Sequence, residues 1–200
     1  MVELLDELTA GLLESRRLSQ QRVDAEIIEF CYHAGLCHDF GKIPMIDTIF
    51  VYGRNLLDHE FSLLKHHTRV GALLLESHES TCAYAGVALG HHKWFDDSRG
   101  YPEEYESAGY GAKIITDIVT VADCLDAATD TAGRSYTGSK TPEIIMDEIA
   151  EGGGNRYNPH IANLLRTGDL RDQVSSILKN VRRDTYRKTY DLLTGLTKDS

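Results

Sequence analysis

The sequence predicts an all-α fold, a helical bundle forming one domain over residues 1–200, and three observations carry that reading. Apolar residues recur at helical spacing in most segments. Pro, Gly, Ser and Asn stand where such helices would start or stop. No segment joins two alternating apolar runs through a hairpin turn dipeptide. With 42% hydrophobic residues the chain can bury a core without staples.

Taken in order, Leu4, Leu5, Leu8 and Leu12 mark a first helix over Val2–Leu13. Ser19 caps a second from about Gln20, with Val23, Ile27, Phe30, Cys31 and Ala34 on one face; the short Leu18-Ser19 link predicts an antiparallel hairpin. That second helix delivers His38 and Asp39 at its end, where Gly41 and Pro44 stop it. Residues 44–55 read as a loop crossing the site. Asp58 is expected to cap the next helix, with Phe61, Leu64, Val70, Leu74 and Leu75 buried and Gly71 open to the close approach of another backbone. Cys82 to Gly90 is small and apolar and points His91 and His92 past its C-terminus. Lys93 to Gly111 is a long loop whose segment Trp94–Tyr101 is a candidate lid or partner surface.

Ile114 to Thr129 is the most apolar helix, with Ile114, Ile118, Val121, Ala122 and Leu125 inward and Asp123 and Asp126 close together on one face. A loop carrying Arg134 and Lys140 follows, and Thr141-Pro142-Glu143 opens another helix that ends at Gly152-Gly153-Gly154. Asn158-Pro159 starts a short helix. Asp169 to Leu193 closes the chain as an amphipathic helix burying Val174, Ile177, Leu178, Val181 and Tyr190, outside a core of about residues 20–165.

Net charge of −10 argues against binding polymeric nucleic acid or an anionic membrane surface. Cys31, Cys37, Cys82 and Cys124 form no CxxC pair and read as reduced residues of a cytoplasmic protein. The acidic start of the chain lacks the charge of a signal peptide, and no run is long enough to insert in a membrane.

The chemistry gathers in four places: His38-Asp39, His66-His67, His91-His92 and the helical Asp123. Adjacent histidines in apolar helices cost desolvation unless something binds them, and imidazoles with a few carboxylates suit iron, manganese, nickel or zinc. His33, His59, His78 and His160 have no such neighbours and read as background.

His38-Asp39-Phe40-Gly41-Lys42-Ile43, Lys65-His66-His67, His91-His92 before Arg99-Gly100-Tyr101-Pro102, and Val121-Ala122-Asp123-Cys124-Leu125-Asp126-Ala127 together resemble the HD-GYP subfamily of HD-domain phosphohydrolases. The resemblance implies the HD-domain helical bundle, two divalent transition metals (iron or manganese before nickel or zinc), and hydrolysis of a cyclic dinucleotide, most often cyclic di-GMP, to the linear dinucleotide by a metal-bridged hydroxide. It assigns His38, Asp39, His67, His91, His92 and Asp123 as ligands, Asp39 bridging, with Lys42 on the substrate phosphate and His66 a bystander. Asp126 would orient a ligand or the attacking hydroxide. Arg134 and Lys140 would hold phosphate, and Arg99, Gly100, Tyr101 and Pro102 would form a partner loop for a diguanylate cyclase domain; a homodimer is a further expected partner.

The chain departs from the subfamily pattern in lacking a histidine before His33, which removes a third-metal ligand, and in carrying Lys93 for an acid and Asp97 for a glycine, with one extra residue before Gly100. Two alternatives stay open on sequence: an HD phosphohydrolase for another nucleotide or phosphoester, and a catalytically weak module that binds a cyclic dinucleotide or a diguanylate cyclase.

Overall fold

A computed structural model of the chain describes residues 5, 7, 8, 10, 25–46, 56–130 and 139–196. Every regular element among them is helical: α1 (Ala25–Cys37), a 3-10 turn (Phe40–Met45), α2 (Asp58–Lys65), α3 (His67–Glu76), a 3-10 turn (Cys82–Tyr84), α4 (Ala85–Gly90), α5 (Lys113–Thr129), α6 (Pro142–Glu151), α7 (Pro159–Leu164), α8 (Asp169–Ser176), a wider π turn (Ile177–Val181) and α9 (Arg182–Leu196). The expected Ser19 cap, the Leu18-Ser19 hairpin and most of the 44–55 loop lie outside the described residues.

The central helix is α5. Ile118, Val119, Val121, Ala122 and Leu125 are buried on it, and one apolar cluster gathers around them from Leu5 and Leu8, α1, α6, α7 and α8. Gly35 on α1 makes room for the tip of the Leu5 side chain, which a Cβ there would force to shift. The caps of α6 and α7 follow the sequence: Thr141 Oγ1 accepts from Ile144 N at 3.4 Å and Asn158 Oδ1 from His160 N at 3.0 Å, each with proline in the first turn.

A second, smaller layer serves the site. Gly41 and Gly71 lie backbone to backbone: a Cβ on Gly71 would sit 3.0 Å from Gly41 N, and one on Gly41 would run into the His67 carbonyl. This contact presses the 3-10 turn after Asp39 onto α3. Ala72, Leu75, Ala85 and Ala88 form the apolar seam between α3 and α4, and their small side chains let the two helices approach closely.

Three expectations change. The cap of α2 is the backbone of Leu57, whose N–H donates to Glu60 Oε2 at 2.8 Å, and Asp58 is the first helical residue. The buried face of α3 is His67, Thr68, Gly71, Ala72 and Leu75, while Phe61 and Leu74 are exposed, because the chain breaks at His66 and the turn of α3 is set by the glycine contact. Finally, Ile27 is exposed on α1, and on the closing helix Val174 and Leu178 are buried but Tyr190 is 68% exposed, because α9 runs past the cluster that α8 covers.

Candidate metal centre

Four chain segments converge on one buried focus. His38 and Asp39 arrive where α1 ends, His67 opens α3, His91 and His92 follow α4, and Asp123 faces them from α5. Each of three histidines is fixed in the same way. His38 Nδ1 donates to the Gly35 carbonyl at 2.6 Å, His67 Nδ1 to Leu64 at 2.7 Å and His91 Nδ1 to Ala88 at 2.9 Å, always three residues back. Each residue stands one turn past a helical carbonyl that the helix itself leaves unbonded or shares. Fixing Nδ1 as the donor leaves the lone pair on Nε2, the tautomer a metal ligand requires.

Those Nε2 atoms meet around Asp39. Its Oδ1 lies 3.3 Å from His67 Nε2 and 3.8 Å from His91 Nε2; its Oδ2 lies 3.3 Å from His38 Nε2. His67 and His91 bring their Nε2 atoms within 3.3 Å of each other, and His38 Nε2 is 3.7 Å from Asp123 Oδ1. The cluster contains two overlapping triads of possible donors, His67-His91-His92 and His38-Asp39-His91. His38 Nε2 and Asp39 Oδ1 are buried without a hydrogen-bond partner. Buried polar atoms are normally satisfied, so two orphans pointing at one focus mark a place shaped for something else.

Electrostatics agree. Burial alone would depress His38, but Asp123 and Asp39 outweigh it and push its pKa up to about 10. The site therefore takes up positive charge there. Burial, reinforced by neighbouring imidazoles, pulls His91 well below its ordinary value and His92 down to about 3, so these two stay neutral. Asp39 is held below its ordinary value despite its burial, by His38, His67 and Lys42, and Asp123 likewise by His38 and His92. A metal taking the place of the proton on His38 Nε2 would meet imidazoles and ionised carboxylates, a donor set that fits divalent transition metals.

The focus lies in a cleft of about 610 Å³, within the size range of small-ligand sites. Lys42 is at its edge with Nζ 2.5 Å from Asp39 Oδ2. Tyr101 lines it too, its ring stacked on His92 with centroids 4.6 Å apart. Thus Tyr101 is a wall of the cleft, while Arg99 is exposed and lies over Trp94 at 5.3 Å.

The two unusual loop residues account for this placement. Lys93 is buried and donates to the Pro102 and Glu103 carbonyls at 3.3 and 2.7 Å. Asp97 takes a φ of 58°, and its carboxylate accepts from Ser107 N, Ser107 Oγ and Ala108 N. Together they pin both ends of the Arg99–Pro102 turn.

Other expected site residues lie elsewhere. Asp126 does not join the cluster: its carboxylate and carbonyl both take Arg182 Nη2, at 2.5 and 2.6 Å, on the face that α9 covers. Three residues on from Asp123, Asp126 stands roughly 60° around the helix and one turn along it, enough to change neighbours. Lys140 lines the cleft, but its ammonium is bound by both oxygens of Glu148 at 2.7 and 2.6 Å. Arg134 lies outside the described residues. His33, His59, His66, His78 and His160 stand apart from both triads. What the sequence reading missed is the far wall of the cleft, Arg156 and Tyr157, where only the short Gly-Gly-Gly stretch signalled a tight turn.

The HD domain family model matches residues 8–128. A cyclic di-GMP phosphodiesterase response regulator, RpfG, of Xanthomonas campestris pv. campestris is 31% identical over 162 residues, 80% of this chain and 40% of that protein. A cyclic di-GMP phosphodiesterase of Thermotoga maritima is 30% identical over 153 residues, 76% of this chain and 40% of its own length. A cyclic di-GMP phosphodiesterase of Vibrio cholerae is 30% identical over 142 residues, 67% of this chain and 28% of that protein. The chain thus spans less than half the length of these curated relatives.

Proposed function

Because the chain belongs to the HD domain family, we propose that it is a metal-dependent phosphodiesterase that opens a cyclic dinucleotide, cyclic di-GMP first among them, to the linear dinucleotide. The observation that carries this reading is the pair of unpartnered buried atoms, His38 Nε2 and Asp39 Oδ1, inside a ring of histidines of which His38, His67 and His91 commit Nδ1 to backbone carbonyls. His38, Asp39, His67, His91, His92 and Asp123 would hold two divalent ions, iron or manganese before nickel or zinc, the two triads of donors meeting at His91.

Bound there, such ions supply Lewis acidity, lowering the pKa of water and absorbing charge on phosphoryl oxygens. The chain's own groups do the rest. The Gly41–Gly71 contact fixes Asp39 against His67. Lys42, hydrogen-bonded to Asp39, holds positive charge at the cleft edge where a phosphate would enter. Tyr101, packed against His92, offers an aromatic face suited to a base. The reading stops at the linear dinucleotide because that product carries extra charge on a terminal phosphate, in a chain of net charge −10.

The names of the relatives support the substrate class. Exposed Arg99 on the pinned turn supports a protein partner such as a diguanylate cyclase domain. No helix among the described residues is long and apolar enough to cross a membrane, and four cysteines with no CxxC pair in the sequence support a cytoplasmic setting.

Metal analysis of anaerobically purified protein, with chromatography of cyclic di-GMP incubated with it, tests the proposal. About two ions per chain and accumulation of pGpG are expected. Protein that cannot be loaded with iron or manganese sinks it, and GMP appearing as fast as pGpG disappears overturns the single cut.

A further inference from the structure

The cleft continues beyond the histidine cluster to a wall built from the end of α6 and the turn after it. Tyr157 is buried there, its hydroxyl 3.0 Å from Cys124 Sγ, the neighbour of Asp123 on α5. The guanidinium of Arg156 rests 5.1 Å from the Tyr157 ring centroid. The turn carrying it is a built one: Arg156 N donates to Gly152 O at 3.0 Å, and Phe95 N and Asp96 N donate to the Arg156 and Asn155 carbonyls, both at 3.1 Å. The Trp94 loop and the Arg156 turn are therefore tied together as one lip.

Four cations of the described residues line this cleft, and three are already occupied. Lys42 is bound to Asp39, Lys140 to Glu148, and Lys93 is buried on two carbonyls. Arg156 has no carboxylate partner among the described residues; only an aromatic face supports it. A cyclic dinucleotide carries two phosphodiesters, and a metal cluster engages one. The other brings a full negative charge into a chain of net charge −10. A planar guanidinium with free donors, held in place by stacking, matches two phosphate oxygens at once.

We propose that Arg156 is a substrate-binding residue that grips the phosphodiester not being cut. The inference rests on the cyclic-dinucleotide reading above and deepens it. It makes Arg156 a filter: the enzyme selects ligands with a second phosphate at the reach of this lip, whatever the chemistry at the metals.

The test compares two substrates on metal-loaded Arg156→Gln, Arg156→Lys and wild-type protein. Cyclic di-GMP has two phosphodiesters, and bis(p-nitrophenyl) phosphate has one. Losing a charge-assisted bond to phosphate is expected to raise KM for cyclic di-GMP by roughly tenfold or more. The effect on bis(p-nitrophenyl) phosphate should be at least tenfold smaller, metal content should hold, and Arg156→Lys should recover part of the loss. Equal losses on both substrates, or an unchanged KM, overturn the proposal. So does a loss on cyclic di-GMP that cyclic di-AMP does not share, which would make Arg156 a base reader. Equilibrium binding of cyclic di-GMP to metal-free protein, set beside turnover by metal-loaded protein, separates the two levels of inference. Metal-free wild type that binds, with binding weakened by Arg156→Gln, while metal-loaded wild type does not cleave, keeps this proposal and sinks the enzyme reading. A wild type that neither binds nor cleaves sinks both.

Discussion

The layer around the histidine cluster and the closing helix α9 use apolar residues in opposite ways. Between α3 and α4 the side chains are small, and the glycines bring Gly41 against Gly71 with no room for a Cβ. On α9, large apolar residues, Tyr186, Tyr190, Leu192 and Leu193, are all more than half exposed. One region spends its apolar character on fixing positions to a fraction of an ångström. The other leaves it on the surface, joined to the rest through Leu178 and the Arg182–Asp126 pair. Apolar periodicity reports that a helix has a face; the size of the side chains on that face tells whether a backbone can come close enough to build a site.

The largest expected effect breaks the first region chemically. Asp39→Ala removes the carboxylate that the Nε2 atoms of His38, His67 and His91 surround, and should abolish metal loading and phosphodiesterase activity together while circular dichroism stays helical; metal analysis of the variant checks this. Retention of full metal content would show that the histidines alone hold the ions.

Lys42→Ala should separate catalysis from ligation. Metal content is expected to hold while kcat falls by roughly a hundredfold, the scale of losing one preorganised charge beside a reacting phosphoryl group. Parallel loss of metal would place Lys42 among the groups that support Asp39.

Gly71→Val probes the backbone contact. Forcing a branched side chain into this seam should cost about 1–3 kcal/mol in urea unfolding and lower metal affinity with it. Leu193→Ala on α9 is the matched control and should change stability by less than about 0.5 kcal/mol. A larger effect of Leu193 would mean α9 is covered in solution.

The smallest effect is a pH profile of the metal-free protein. His38 is raised to about 10, so its contribution is complete below about 6.5 and drains away as pH climbs toward 10. His91 and His92 are depressed, so below about 6.5 the unfolded chain takes protons that the folded chain refuses, and stability falls with further acidification. Urea midpoints should therefore peak near pH 6.5. His38→Asn should flatten the alkaline side alone, and metal loading should flatten it in the wild type.

The helical class was legible in the sequence, because period and caps are local: Thr141-Pro142 and Asn158-Pro159 cap their helices as written. The resemblance of its motifs to the HD-GYP subfamily also put His38, Asp39, His67, His91, His92 and Asp123 forward as one set, and the fold brings them to one focus. Gly71 announced a close approach without saying to what. The rest was not legible there, since each answer depends on a partner far along the chain. Asp126 and Asp123 read as a pair, yet Arg182, 56 residues later, takes Asp126 away. Tyr190 read as buried, yet α9 passes beyond the cluster that would have covered it. Arg156 carried no signal because a lone arginine is defined by what lies across the cleft, and the backbone bonds from Phe95 and Asp96 that set it there join segments about sixty residues apart.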